Sequence, residues 1–245
     1  MKNITAIIQA RMGSTRLPGK VMKPLAGLPM IHHVVERTRR IDSVTQVIVA
    51  TSTSQREEPL VEYLTTLNDV EIFRGSEDDV LSRYFNAAKT YEADIVLRIT
   101  GDCPLLSPKV SSRVVRAFLK NEESFDYATN TLSRTFPRGL DTSVMPFEIL
   151  EQAHRQATTP SEREHVTVYI WSNPEKFRLL SIEDNQDRHH LRWTVDTTED
   201  FELISQLYDG LYFSNPHFDY EEILEYLERF PELSELNASI RQKPL

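Results

Sequence analysis

Apolar residues along the chain alternate between short continuous runs and stretches that repeat every three to four positions. Ile4, Ala6, Ile7, Ile8 and Ala10 form a nearly unbroken apolar run, the pattern of a central strand in a parallel sheet covered on both faces. Behind Pro29, which suits a first helical turn, Met30, Ile31, Val34, Val35 and Thr38 fall at helical spacing. Arg37, Arg39 and Arg40 lie where cations complement the helix dipole. Strands are predicted over residues 44–50, 70–73 and 94–99, and helices over 57–67, 80–88 and 108–121. The stretch 76–79, Ser-Glu-Asp-Asp, reads as a capped helix start. Strands alternating with crossover helices predict a doubly wound, mostly parallel α/β sheet.

Beyond about residue 125 the alternation loosens. Residues 127–132 and 140–147 read as strands flanking a polar stretch. Ser161-Glu-Arg-Glu164 reads as a capping box opening a helix through Trp171. Further strands are expected over 177–182 and 191–195, and amphipathic closing helices over 198–211 and 220–230. The expectation is one domain, with a core of residues 1–124 and 191–230. Residues 125–190 are expected as a small inserted β/α lobe over the carboxyl edge of the sheet.

Composition narrows the class. A length of 245 residues with 40% hydrophobic content suits one large domain. No apolar run is long enough to span a membrane, and the first residues lack a signal-peptide pattern. The single cysteine, Cys103, agrees with a reducing compartment, so the expected location is the cytoplasm. A net charge of −9 argues against a general nucleic-acid surface. That charge is uneven: residues 11–40 carry +6 and the remainder −15. A local positive field on an acidic body suits a small anion such as a nucleotide.

The positive charge starts in the loop after the first strand. Arg11, Arg16 and Lys20 fall in one segment that Gly13, Ser14, Thr15 and Gly19 keep open. The carboxyl end of a strand in an open α/β sheet is a ligand-binding edge, and three cations with accessible backbone N–H groups suit a polyphosphate there. The loop is not a P-loop: five residues separate Gly13 from Gly19, and Val21 follows Lys20 where a hydroxyl is required. A Rossmann glycine fingerprint is absent too.

Asp102, in Thr100-Gly101-Asp102-Cys103-Pro104, follows a hydrophobic strand and so belongs at the same edge. Magnesium takes few protein carboxylates and shares its other positions with phosphate oxygens and water, so Asp102 is a metal candidate; its alternative role is that of a turn aspartate. Asp196 stands between the stretch 191–195 and a helix that Thr197 or Thr198 can cap with Asp200 in its first turn. The cap does not need Asp196, which leaves it free as a second acid. His189-His190 has no third ligand at zinc spacing, and Cys103 has no partner for nucleophilic catalysis.

Ala10-Arg11-Met12-Gly13-Ser14-Thr15-Arg16-Leu17-Pro18-Gly19-Lys20, followed by Leu25-Ala26-Gly27-Leu28-Pro29, resembles the signature of sugar nucleotidyltransferases. The resemblance is closest to CMP-sugar synthetases, in particular to a branch associated with spore-coat polysaccharide, and it covers most of the chain. It implies a Rossmann-like nucleotide-diphospho-sugar transferase fold and CTP-dependent activation of a sugar to a CMP-sugar with release of pyrophosphate. An acidic sugar destined for surface or spore-coat polysaccharide is the expected acceptor. It also implies Mg2+ on Asp102 and Asp196, with Arg11, Arg16 and Lys20 on the departing pyrophosphate, and commonly a homodimer.

The resemblance places nucleotide contacts at Ala10, Arg11, Gly13, Ser14, Lys20, Thr100 and Asp102. It places base and ribose contacts at Thr51, Ser52, Arg74 and Ser76, although Ser76 serves equally as a helix cap. Acceptor candidates are Asn130, Arg138, Gly139, Asp141, Arg163, His165 and Arg192, with His165 equally a structural residue. A carboxylated sugar calls for a bidentate arginine, a role open to Arg98, Arg134, Arg138 and Arg192. The alternatives are a transferase using another NTP, a glycosyltransferase (for which Gly101-Asp102-Cys103 offers only one acid), and a non-catalytic nucleotide-sugar-binding protein.

Overall fold

A computed structural model describes residues 2–242 of the chain. Strand β1 (Ile4–Gln9) is followed by a two-strand hairpin, β2 (Pro24–Leu25) and β3 (Leu28–Pro29), that leads into α1 (Met30–Arg39). Then come β4 (Gln46–Ser52), α2 (Glu58–Thr65), β5 (Glu71–Gly75), α3 (Val80–Thr90), β6 (Ile95–Thr100) and α4 (Pro108–Lys120). The second half supplies β7 (Tyr127–Thr129), β8 (Ser143–Pro146), α5 (Phe147–Gln156), α6 (Pro160–Glu164), α7 (Val168–Trp171) and β9 (Leu179–Ser181). Helices α8 (Thr198–Leu211) and α9 (Tyr220–Arg229) follow.

One seven-stranded sheet runs β5-β4-β1-β6-β8-β7-β9. Its pairs are parallel except at β8, which lies antiparallel to both β6 and β7. Alternate side chains leave each strand on opposite faces. Ala6, Ile8, Val47, Val49, Leu97 and Ile99 pack beneath α1, α4, α8 and α9. Ile7, Ile48 and Val96 pack beneath α3, α5 and α7 on the other face. Two-sided burial explains why the strands read as continuous apolar runs.

From β1 the chain winds outward to β4 and β5, then returns to the opposite side of β1 at β6. That reversal opens a crevice at the carboxyl ends of β1 and β6, the place where α/β sheets bind ligands. Gly101 makes the convergence possible. Its N–H donates to Gln9 O at 2.8 Å, and a Cβ there would stand 2.9 Å from both Ala10 Cβ and that carbonyl oxygen.

The expected elements of the first half are present, with ends shifted by no more than two residues. The second half departs in five places. Residues 127–181 supply three strands of the central sheet itself. Helix α5 starts directly at Phe147, where the expected strand over 140–147 would have continued. The capping box is formed by Thr159 and Glu162, two residues before the expected one. The helix it opens ends at Glu164, because Val166 sits at φ +53° and separates α6 from α7. Residues 191–195 are extended but not a strand of the sheet; Arg138 and Arg192 form an isolated bridge.

His33 on α1 anchors the hairpin to the helix. Its Nε2–H donates to Leu25 O at 2.8 Å, and its ring lies 4.4 Å from that of Tyr208. Burial, assisted by the neighbouring His32 and Arg37 charges, lowers its pKa to about 4, outweighing the opposing effect of the Leu25 carbonyl. An unfolded chain binds this proton near pH 6.5, so the stabilisation is complete above about pH 6.5 and is lost as pH falls towards 4. Urea unfolding across that window should show His33→Gln, which keeps an N–H for Leu25, losing close to one proton of pH dependence. An unchanged slope would locate the acid sensitivity elsewhere.

Candidate active site

Three segments meet at the crevice: the loop after β1, the turn after β6 and the extended stretch before α8. Lys20, buried in a short 3-10 turn, joins them. Its ammonium donates to Asp102 Oδ2 at 3.0 Å, Asp196 Oδ1 at 2.9 Å and Val195 O at 2.7 Å, which uses all three of its protons. Arg16 and Arg192 hold the other oxygen of Asp196 at 3.0 and 2.8 Å. Val195 N–H donates to Asp102 O at 2.8 Å, so the two acids are tied through backbone as well as through Lys20.

Burial opposes the charge of Lys20, but Asp102 and Asp196 together outweigh it and hold its pKa above the ordinary lysine value. Burial likewise opposes the charge of Asp102, and Lys20, with hydrogen bonds that include Thr100, holds its carboxyl below the ordinary value. Both groups are therefore ionised throughout the neutral range.

Behind Asp196 stands a second layer. Arg192 Nε donates to the fully buried Asp200 at 2.8 Å, and Asp200 also accepts from the N–H of Asp196 at 2.9 Å and of Thr197 at 3.1 Å. Asn237 closes the group by donating to Asp200 at 2.8 Å and to Arg192 O at 2.9 Å. The rotamer of Asp196 is thus fixed by partners that are themselves fixed.

From this cluster a cavity of about 920 Å³ extends along the α3, α6 and α7 side of the sheet. Ala10, Arg11, Ser14, Arg16, Lys20, Thr100, Asp102 and Asp196 line its inner end. Arg98, Arg138, Gly139, Asp141, Ser143, His165 and Trp171 line the rest. Gly139, at φ +106°, lies so close to the chain at Trp193 that a Cβ would stand 2.6 Å from its carbonyl carbon. That contact fastens the 134–141 loop against the segment carrying Asp196. A polar cavity of this size, with converging charges at a switch point, has room for a nucleotide and a second substrate.

The cytidylyltransferase family model matches residues 5–230. This chain belongs to the cytidylyltransferase family. It is 37% identical over 242 residues to a protein of Methanocaldococcus jannaschii named only as uncharacterised, covering 98% of this chain and 96% of that one. It is 31% identical over 239 residues to the spore coat polysaccharide biosynthesis protein SpsF of Bacillus subtilis, covering 95% and 97%. A 3-deoxy-manno-octulosonate cytidylyltransferase of Trichlorobacter lovleyi is 36% identical over 119 residues, about half of each chain (48% and 46%). The solved structure of a cytidylyltransferase from Leptospira borgpetersenii superposes with a TM-score of 0.91 at 33% identity, covering 100% of both chains. The chain is therefore a nucleotidyltransferase on a Rossmann-like sheet.

Several expected contacts of this cytidylyltransferase stand away from the cavity wall. Thr51 and Ser52 are buried and donate their hydroxyls to Glu57, at 3.1 and 3.4 Å. Arg74 is engaged by Ser52 O, Ser54 O and Glu58, and Ser76 Oγ accepts from the Asp79 N–H at the start of α3. Gly13 packs beneath Arg56. Asn130 clamps its own loop through Leu140 O and the Thr142 N–H. Arg163 joins α6 to Asp79 and to His154 O, while Arg192 faces Asp196 and Asp200.

Other residues of the site escaped the sequence reading. Glu57 is fully buried and accepts from the Met12 N–H at 2.8 Å, pinning the loop that carries Arg11. In the sequence it stands inside a charged stretch, Gln55-Arg56-Glu57-Glu58, that reads as solvent-facing. Arg83 lines the cavity from α3 with its guanidinium on Ser76 O. Gln242 reaches Arg192 at 2.7 Å from beyond the last helix. No local motif marks either of these.

Proposed function

We propose that this cytidylyltransferase couples CTP to a carboxylated sugar, giving a CMP-sugar and pyrophosphate for a surface or spore-coat polysaccharide. The nucleotide and the sugar class draw support from the relatives named for 3-deoxy-manno-octulosonate and spore-coat chemistry. The observation that carries the reading is the convergence of Asp102 and Asp196 on the Lys20 ammonium beside Arg11 and Arg16.

In the reaction a sugar hydroxyl oxygen forms a bond to the α-phosphorus as the bond to the bridging oxygen of pyrophosphate breaks, and the hydroxyl proton leaves to solvent. Arg11 and Arg16 stand where they can bind the triphosphate and stabilise the departing charge. Lys20 joins them once its protons turn from the carboxylates to phosphate. Catalysis then consists of positioning and electrostatics, with no covalent enzyme intermediate.

The residues present fit a magnesium ion. The two carboxylates that meet around the Lys20 ammonium are hard oxygen donors of the kind magnesium takes, sharing the ion with phosphate oxygens and water. Asp102 and Asp196 would hold the ion, which when bound would withdraw charge from the α-phosphate.

Incubation with each NTP, Mg2+ and a panel of acidic and neutral sugars, with products identified by mass, tests the reading. CTP and a carboxylated sugar should give a CMP-sugar and one pyrophosphate per turnover. Release of a free nucleoside diphosphate, or a preference for another NTP, would overturn it.

A further inference from the structure

Seven cationic side chains line the cavity against four carboxylates, and the arginines that line or flank it are not equivalent. Arg134 is taken up by Asp141 in a two-pronged pair at 2.7 and 2.8 Å. Arg192 is taken up by Asp196 and Asp200, Arg163 by Asp79, and Arg83 by backbone carbonyls. Arg98 is different. It lies on β6 two residues before Thr100, so it shares that residue's face of the sheet about 7 Å further from the strand end. It pairs in register with Ser143 of β8, and both residues line the cavity.

The Nε of Arg98 is buried with no partner among the described residues, and no carboxylate of those residues forms an ion pair with it. A buried guanidinium N–H without a hydrogen-bond partner is costly, and the unused group calls for an explanation. Asp141 stands close enough to feel its charge, but both of that acid's oxygens are committed to Arg134. Ser143 is committed as well, to Tyr127 and Thr129. The fold thus presents an unused planar fork on the wall of the cavity, on the strand that leads to Asp102. A fork of this shape matches a carboxylate with two parallel hydrogen bonds.

We propose that Arg98 binds the carboxylate of the acceptor sugar and sets the preference for acidic over neutral sugars. This rests on the cytidylyl-transfer reading and adds to it the residue that selects the substrate class. Arg11 and Arg138 also line the cavity without an ion pair among the described residues; Arg11 belongs to the cationic loop after β1, and Arg138 sits beside Arg134 and Arg192, whose positive charges oppose its own. Removing the fork leaves the triphosphate contacts in place, so it alters the acceptor and spares the nucleotide.

The test compares wild type, Arg98→Met and Arg98→Lys with a carboxylated sugar and its carboxamide analogue, while CTP affinity is followed by calorimetry. Wild type should favour the acid by about 10²-fold or more in kcat/KM, as expected for a buried charge left unpaired by the wrong substrate. Arg98→Met should abolish that preference, chiefly through a higher acceptor KM, with CTP affinity unchanged. Arg98→Lys, which keeps the charge and loses the fork, should retain part of it and carries the test if the Met variant fails to fold. Variants that keep the full preference overturn the inference, as does a wild-type enzyme that makes CMP-sugars from neutral acceptors only. Absence of pyrophosphate release with every acceptor overturns the underlying reading, and the inference with it.

Discussion

Replacing Asp102 by Asn should lower pyrophosphate release by about 10³-fold or more, the scale of losing a preorganised charge at the reacting phosphate. The substitution retains the side chain's shape and removes its charge. The backbone of Asp102 is secured independently, because its carbonyl accepts from the Val195 N–H at 2.8 Å and from Thr194 Oγ1 at 3.3 Å. Lys20 also keeps two of its three partners, Asp196 and Val195 O. The variant should therefore fold, and circular dichroism with a thermal melt checks that before turnover is measured. A folded Asp102→Asn enzyme that works at the wild-type rate would remove Asp102 from the proposed metal site and leave Asp196 as its only carboxylate.

The features legible in the sequence are those whose cause is local. The apolar run of β1, the cationic loop behind it and the Gly101-Asp102 turn each lie in one short segment, and the sheet's switch point then brings them together. Thr197 and Asp200 form the cap expected of them, yet the same Asp200 is also the buried partner of Arg192. A helix-cap pattern cannot show that second role, because it depends on a residue outside the helix.

Residues 191–195 show the opposite limit. Trp193 and Val195 are buried in the core, as the alternation predicts, but Arg192 and Thr194 between them are buried too. Their backbone hydrogen bonds, however, go to loops. Arg138 N–H donates to Leu191 O, Trp193 N–H to Arg138 O and Val195 N–H to Asp102 O, and Lys20 takes Val195 O. Periodicity reports which side chains face inward and is silent about what the backbone pairs with. The same holds for Thr51 and Ser52. Their position at the end of β4 is right for a ligand contact, and only the folded chain shows that Glu57 has claimed both hydroxyls.

Lys20→Met should reduce turnover by about 10²–10³-fold and, in the same protein, strengthen divalent-metal binding in the absence of nucleotide. The second effect follows from the contacts that Lys20 makes with the two acids. Its ammonium lies within 3.0 Å of both carboxylates, so a metal ion and Lys20 compete for the same two acids. Arg16 and Arg192 occupy only the far oxygen of Asp196, and they remain in the variant. On the proposed reading, triphosphate would resolve the competition by offering Lys20 an anion of its own. Wild type should therefore bind Mg2+ or Mn2+ weakly alone and far more tightly with CTP. In Lys20→Met that coupling should shrink, because the competitor is gone before the nucleotide arrives. Calorimetric titration of both proteins with Mn2+, with and without CTP, reads the effect without reference to catalysis. Equal metal affinity in the two nucleotide-free proteins would show that Lys20 does not hold the place of a cation, even if the variant were inactive.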